Sequence, residues 1–392
     1  MSVLHSLQDV IFADLPDGRA EVIHDFSKRI FTSALSPHGN IIAFAANNGK
    51  ILLYDIRSFD NKHVYMGHNG KTTTLSFSRD TRYLASGDKK GGFFIHSVID
   101  KTDNVMFTHN FNNGICFIQY CPNDLGMILI LFDSKDLFLF DQNNKDEENR
   151  FRKVEGKFTA AVWSNTSRYF YVTDTEKKIK KINMDNLEII KSYDFEEDGI
   201  ITTMLVSHNE KMLLILNKRG IGKLLDLESE TMIHKYSDIV SKSKYTTASF
   251  DRNDEYVLLG TKNSINQAFI AYNIVTGLIT NIFHGANESI EKILVHPLKP
   301  IIYAQTLYTL YKWNISKKFR TMESVPDKTL MRSNVVYIEK EDEFDDNSSD
   351  NNNDENINVE LSISDMMSCP QFLELPNDDK YPNQIKVLPF DE

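Results

Sequence analysis

The feature that most constrains the fold is an internal repeat of between 42 and 45 residues. One phrase, an apolar run that ends in a large apolar residue before a polar turn, occurs seven times. A second phrase, an apolar run that ends in Asp, Asn or Ser, follows each copy. The large apolar residues of the first phrase are Leu35, Phe77, Tyr120, Trp163, Val206, Phe250 and Val295, and the polar residues of the second are Asp55, Ser97, Asp141, Asn183, Asp226, Asn273 and Asn314. A steady period of this length predicts an array of similar structural units.

Each unit is predicted to consist of short β-strands. In the first repeat, the apolar runs 41–46 and 51–56 are joined by Asn47, Asn48 and Gly49. Asn and Gly tolerate a positive φ, so this sequence is typical of a tight β-hairpin. Continuous apolar runs suit strands that are buried between stacked sheets, whereas a helix would show a period of 3.6. The repeats resemble WD40 repeats in spacing, and Gly67-His68, Tyr54-Asp55 and Trp313-Asn314 approximate their Gly-His and Trp-Asp elements.

The resemblance implies an all-β fold, a seven-bladed WD40 β-propeller. After the last dipeptide, the seventh blade still lacks an outer strand. The segment Glu21 to Phe26 precedes the first inner strand and has no blade of its own. We therefore predict that residues 1–28 close the ring by adding this strand to blade seven, and that the propeller spans residues 29–320.

The charge of the chain is unevenly distributed. The net charge is -11, but residues 339–392 alone hold 16 acidic and 3 basic residues, a net of -13. The rest therefore carries about +2, and the acid belongs to a largely extended, solvated or partner-binding tail. No run approaches the roughly 20 apolar residues of a membrane helix, and the N-terminus has no apolar signal core. We expect a soluble intracellular protein.

Sequence motifs for catalysis, cofactors and metals are missing. The chain has no GxGxxG, P-loop, HExxH or GxSxG sequence, which disfavours an enzyme and predicts no cofactor. Cys116, Cys121 and Cys369 are too few for a disulfide framework, and no histidine pair completes a zinc site with them. His68 is interpreted as a structural hydrogen-bonding residue. A propeller hydrolase would need acids or histidines that converge on the central channel, and the sequence shows no such set.

Basic runs leave two interpretations open. The lysines of the main run are Lys177, Lys178, Lys180 and Lys181, and shorter runs include Lys89-Lys90. Such runs are either solvated blade edges or a surface that faces phosphates, where lysines add salt-dependent affinity without reading a base sequence. The near-neutral body of the chain keeps the phosphate-facing interpretation open.

The most specific motif follows the ring. It contains Pro326-Asp327 and then Asn334, Val335, Tyr337, Glu339, Glu341, Glu343, Phe344 and Asp345. In order and spacing this resembles the WD-repeat subunits of COMPASS (SET/MLL-type) histone H3 lysine methyltransferase complexes, the family of yeast Swd-one and of retinoblastoma-binding protein five. His284-Gly285 and His296-Pro297 agree with the same family. The resemblance covers both the ring and the tail.

The resemblance implies a non-catalytic scaffold and activator of histone H3 lysine 4 methylation in the nucleus. By analogy, the SET-domain methyltransferase would be contacted by Asn334, Val335, Tyr337, Glu339 and Glu341. The SPRY-domain subunit of the Ash-two type would be contacted by Glu343, Phe344, Asp345 and Asp346. A small second propeller would be contacted by Val359, Glu360 and Leu361. The chain beyond the ring would then divide into an activation segment, residues 321–346, and an acidic tail with docking motifs, residues 347–392.

One function of a different class remains as an alternative. Tyr54-Asp55-Ile56-Arg57 differs in one letter from the Trp-Asp-x-Arg box of propellers that serve as substrate receptors of cullin-type ubiquitin ligases. Co-purification with a cullin adaptor, in place of SET and SPRY subunits, would favour that function.

Overall fold

A computed structural model describes residues 15, 20–99, 105–123, 126–146, 149–194, 199–237, 244–262, 267–286 and 288–314. Within these ranges the chain forms 28 β-strands, which build seven four-stranded antiparallel sheets. The sites predicted in residues 334–361 and the boundaries at residues 320 and 346 lie outside the described residues.

The strands follow one another in the order of the repeats. The first strand, β1 Glu21–Asp25, belongs to blade seven. Blades one to three each consist of four consecutive strands: β2 Ile30–Leu35, β3 Ile41–Ala46, β4 Ile51–Asp55 and β5 Asn61–Tyr65; β6 Thr72–Phe77, β7 Tyr83–Asp88, β8 Gly92–Ser97 and β9 Val105–Asn110; β10 Ile115–Tyr120, β11 Met127–Phe132, β12 Leu137–Asp141 and β13 Phe151–Val154. Blades four to six comprise β14 Phe158–Trp163, β15 Tyr169–Asp174, β16 Ile179–Asn183 and β17 Ile189–Tyr193; β18 Ile201–Val206, β19 Met212–Asn217, β20 Gly222–Asp226 and β21 Met232–Tyr236; β22 Lys244–Phe250, β23 Tyr256–Lys262, β24 Gln267–Asn273 and β25 Ile279–His284.

Blade seven combines the two ends of the ring. Its sheet has the order β1-β28-β27-β26, with β26 Lys292–Val295, β27 Ile302–Gln305, β28 Thr309–Trp313 and β1 Glu21–Asp25. Strand β1 pairs antiparallel with β28, and His24 lies opposite Leu310. The first strands of neighbouring blades pack on each other around the whole ring, including β26 on β2. The prediction of a seven-bladed propeller closed by an N-terminal strand is therefore confirmed.

The first repeated phrase is explained by a turn between the first and second strands. Its polar residue accepts a hydrogen bond from the backbone N–H five residues later, at 3.0 Å from Ile41 to Ser36 Oγ and 2.8 Å from Tyr256 to Asp251 Oδ1. Ser78 and Ser207 do the same for Tyr83 and Met212, each at 3.0 Å. A short polar side chain is needed there because the buried N–H groups otherwise lack partners.

The second phrase is explained by the turn between the third and fourth strands. Asp55 Oδ1 accepts a hydrogen bond from the N–H of Arg57 at 2.8 Å, and Asn183 Oδ1 from that of Asp185 at 2.8 Å. Asp141, Asp226 and Asn273 make the corresponding bond in their own blades. These Asx turns account for the repeated Asp and Asn without any appeal to catalysis.

The core lies between the blades. Seven hydrophobic clusters form, and each joins the facing sheets of two adjacent blades. Trp163 and Trp313, the two tryptophans of the chain, are each 1% exposed. The cluster between blades seven and one includes Phe26, Phe44 and Tyr303, so the closure of the ring buries aromatic surface. Apolar burial of this kind is the main force that holds such blades together.

Candidate interaction surface

One face of the ring collects most of the basic sequence runs. In a four-stranded meander, the turn between the second and third strands and the connection to the next blade lie at the same end. We call this end of the seven blades the upper face; of the described residues it carries 26–29, 47–50, 66–71, 89–91, 111–114, 133–136, 155–157, 175–178, 194, 199–200, 218–221, 237, 285–286, 288–291 and 306–308. The opposite end, with the turns described above, is called the lower face.

The predicted structural role of His68 is confirmed on the upper side of blade two. Its Nδ1 lies 3.0 Å from Asp88 Oδ2 and its Nε2 lies 2.7 Å from Ser86 Oγ. Burial opposes ionisation of Asp88, but bonds from His68 and from the N–H groups of Gly92 and Lys90 hold the pKa of this carboxyl below its ordinary value. The three side chains are buried, and His68 is bonded to both of the others. His68 therefore ties the connection between blades one and two to strand β7 and has a structural role.

His96 is buried in the same blade without a hydrogen-bond partner. It is 1% exposed, and neither ring nitrogen meets a donor or acceptor. Its ring stacks on Tyr65, with centroids 4.5 Å apart. Burial, followed by the charges of His68 and His63, lowers the pKa of His96 to about 3. This imidazole is a neutral packing group at pH 7.

A cluster of cations surrounds Phe31 at the upper end of β2. Lys71 Nζ lies 3.3 Å from the centroid of the Phe31 ring, and Arg29 Cζ lies 5.0 Å from it. Burial, then the positive charges of Arg29 and Lys89, lower the pKa of Lys71. The cations come from blades one and two, so sequence spacing did not indicate that they meet. Stacking on an aromatic ring holds them in place on the surface.

The lysines of the main basic run are distributed over two elements. Lys177 and Lys178 lie in the turn after β15 on the upper face, whereas Lys180 and Lys181 belong to β16. Lys180 Nζ is 2.8 Å from Asp174 Oδ2, Lys178 Nζ is 3.8 Å from Asp194 Oδ2, and Lys181 Nζ lies 3.5 Å from the centre of the Tyr169 ring. Lys178 and Lys180 are thus paired with acids of the chain.

Lys89 and Lys90 are both exposed, whereas Lys178, Lys180 and Lys181 are half-buried. Lys89 and Lys90 occupy the turn after β7 on the upper face, and no acidic side chain of the described residues forms an ion pair with them. Together with Arg29 and Lys71 they form a basic group of four residues from two adjacent blades. We call Arg29, Lys71, Lys89 and Lys90 the upper basic group.

The remaining sequence features have structural explanations where they are described. Cys116 lies in β10 and Cys121 directly after it, and no group of metal-binding side chains occurs in the described ranges. Tyr54 is buried among aromatic rings, and Asp55 forms the turn with Arg57, so this four-residue sequence serves the blade itself. In the part of the chain that the structure describes, no helix is long and apolar enough to span a membrane.

Comparisons with known proteins give similarities at the level of sequence and of fold. No family model matches the chain. Retinoblastoma-binding-like protein E of Dictyostelium discoideum is 25% identical over 349 residues, covering 80% of this chain and 65% of the relative. COMPASS component SWD1 of Saccharomyces cerevisiae is 21% identical over 375 residues, covering 87% of both chains. The chain thus spans about two thirds of the length of the first relative and most of the second.

The similarity extends beyond the ring. Residues 1–314 are 314 of 392, or about 80% of the chain, so a match that covers 87% of it also includes residues after the last strand. The fold has a solved counterpart in the β-propeller domain of Cps50 (Swd1) from Myceliophteria thermophila, with a TM-score of 0.68, 18% identity, and coverage of 76% of this chain and 100% of that one. The chain is therefore a seven-bladed WD40 propeller related to the COMPASS subunits of the Swd1 and retinoblastoma-binding protein family.

Proposed function

We propose that the chain is a non-catalytic scaffold and activator subunit of a COMPASS-type histone H3 lysine 4 methyltransferase complex in the nucleus. The observation that carries this proposal is the similarity to COMPASS component SWD1, which continues past the ring into the region of the most specific motif. The ring is consistent with the proposal because the His68 and Asp88 pair, which could suggest acid–base chemistry, has a structural role. A platform of this kind needs no catalytic residue of its own.

The activating step is assigned to the segment that follows the ring. In this proposal Asn334, Val335, Tyr337, Glu339 and Glu341 contact the SET domain. A methyltransferase domain with a mobile lobe gains rate when its cofactor and substrate groove are held in the productive arrangement. A short extended segment between that lobe and a second protein would favour this arrangement by binding it more tightly than the alternatives.

The remaining tail motifs connect two further subunits. Glu343, Phe344, Asp345 and Asp346 would bind the SPRY-domain subunit, and Val359, Glu360 and Leu361 the small second propeller. The tail carries a net charge of -13 in residues 339–392, so it would be attracted to basic partner surfaces and would bind them at a higher rate. Short motifs joined by polar spacers suit this kind of docking.

The propeller is proposed to dock on the nucleosome through its upper face. The sequence points to Lys177, Lys178, Lys180 and Lys181, and the geometry adds the upper basic group on the same face. Lysines with no acidic partner release counterions when they contact phosphates, which gives a salt-dependent affinity. The paired Lys180 would contribute less than Lys89 or Lys90.

The subunit assignment is tested by affinity purification of the full-length chain from its own cells. The proposal expects a SET-domain methyltransferase, a SPRY-domain protein and a second small propeller in amounts close to one per chain. A version that lacks residues 321–392 is the control, and it should lose all three. Recovery of a cullin adaptor in their place would contradict the proposal and support the ubiquitin-ligase alternative.

A further inference from the structure

The interface between blades seven and one contains a group of buried and half-buried polar side chains. Lys292 lies opposite Gln305 in the pairing of β26 with β27, and Gln305 lies opposite Leu310 in the pairing with β28. Directly opposed residues share one face of a sheet. Leu310 packs in the hydrophobic cluster that joins blade seven to blade one. Lys292 and Gln305 therefore point toward blade one.

Blade one presents a third polar group to the same interface. Ser33 lies opposite Phe44 in the pairing of β2 with β3, and Phe44 belongs to the same cluster as Leu310. Ser33 thus shares the face of blade one that packs on blade seven. Ser33 and Lys292 lie on β2 and β26, the first strands of their blades, and so at the inner side of the interface beside the axis of the ring. Gln305 lies on the neighbouring strand β27.

Two of these groups are buried without any partner. Gln305 and Ser33 are each 0% exposed. Gln305 Oε1, Gln305 Nε2 and Ser33 Oγ make no hydrogen bond in the structure. A buried polar group without a partner is costly, and native proteins rarely retain several together unless water or a ligand satisfies them.

The third group brings a positive charge that is not neutralised. No described acidic side chain forms an ion pair with Lys292. Its neighbour Glu291 acts on Lys71 instead, where its charge raises the pKa. Burial lowers the pKa of Lys292 to about 8, so the amine is still mostly protonated at pH 7. Residue Lys292 as a whole is half-buried, and it lies on the strand beside the axis.

We propose that Lys292, Gln305 and Ser33 form a binding site for a small monovalent anion, chloride or a carboxylate, that enters from the axis of the ring. The ammonium group supplies the charge, and the Gln305 amide and Ser33 hydroxyl supply further donors. Charge-assisted hydrogen bonds of this kind would satisfy the donors, the Gln305 amide Nε2 and the Ser33 hydroxyl, that are otherwise unpaired. The site is independent of the methyltransferase assignment, because it involves the ring alone.

The test is ³⁵Cl NMR line broadening by the full-length chain in sodium chloride at pH 7. The wild-type chain should broaden the chloride signal, and Lys292→Met should remove most of this excess. Lys312→Met is the matched control, since Lys312 lies in the same blade and opposite Glu21, and it should keep the broadening. Equal broadening by the wild type and Lys292→Met would overturn the proposal.

A second variant keeps the test decisive if Lys292→Met does not fold. Gln305→Leu retains the charge and removes the amide, and we expect it to weaken chloride affinity several-fold. Unchanged affinity in Gln305→Leu would contradict the proposed site. Sodium acetate should displace chloride from the wild-type chain in competition, and a failure to displace it would exclude carboxylates as ligands.

Discussion

At the scale of single residues, the two buried histidines of blade two differ in what they meet. His68 is bonded to Asp88 and Ser86, whereas His96 meets only rings and apolar surface. Protonation of His96 would place an unpaired charge in the core, which is why its pKa lies near 3 in the folded chain. The unfolded chain binds that proton near pH 6.5.

This difference predicts an acid-sensitive contribution to stability. Because the folded pKa of His96 is lowered, its contribution is fully present above about pH 6.5 and is lost as the pH falls toward 3. The free energy of unfolding is measured with urea at pH 7 and at pH 5. Its decrease between these two pH values should be smaller in His96→Phe than in the wild type by about 2 kcal/mol. His109→Phe, an exposed control, should not. Equal losses in His96→Phe and the wild type would contradict the assignment.

At the scale of elements, strand β1 is the part of the ring with the least local support. It is separated from its partner β28 by almost the whole ring in sequence, and its residues are mostly exposed or half-buried. Phe26, directly after the strand, is buried with its ring centroid 4.6 Å from that of Phe44. The strand and this aromatic contact together join blade seven to blade one.

Deletion of residues 1–28 should therefore uncouple blade seven from the rest of the ring. The two tryptophans report on different blades, Trp313 on blade seven and Trp163 on blade four. In variants with a single tryptophan, Trp163→Phe or Trp313→Phe, the two urea transitions should coincide in the full chain. After the deletion, the Trp313 transition should move to lower urea. A deletion of residues 1–14 is the control, and coincident transitions after both deletions would refute the role of β1.

The elements also separate what sequence could predict from what it could not. Strands such as Met127–Phe132 are buried throughout and were visible as apolar runs. The outer strand Val105–Asn110 is largely exposed and carries no comparable run, because its outer side has no neighbouring blade to pack against. The pairing of Lys180 with Asp174, and the meeting of Lys292 with Gln305, depend on strand register, which spacing alone does not determine.

At the scale of the whole molecule, the ring and the tail differ in electrostatic character. The acid is concentrated in residues 339–392, which leaves a nearly neutral ring with basic residues gathered on its upper face. This distribution allows one chain to meet DNA phosphates with one part and basic protein surfaces with another. The net charge of the chain, -11, conceals this division.

The upper face yields a prediction for nucleosome binding. Substitution of Lys89 and Lys90 by Ala in the full chain should weaken binding and lower the slope of log affinity against log salt by about 2, one for each lost phosphate contact. Lys211→Ala with Lys299→Ala changes the same charge on the lower face and should leave the slope unaltered. If both double variants behave alike, docking does not use the upper face.

The central claim is that the chain activates a methyltransferase through the segment after its ring. The most direct test is the rate of histone H3 peptide methylation by a complex reconstituted with purified subunits. With Tyr337→Ala and Glu339→Ala, we predict that the rate falls at least about tenfold, equivalent to about 1.4 kcal/mol of transition-state stabilisation. Tyr381→Ala with Glu374→Ala, outside the motif, should leave the rate intact. An unchanged rate with the first pair of substitutions, in a complex that still assembles, would contradict the claim.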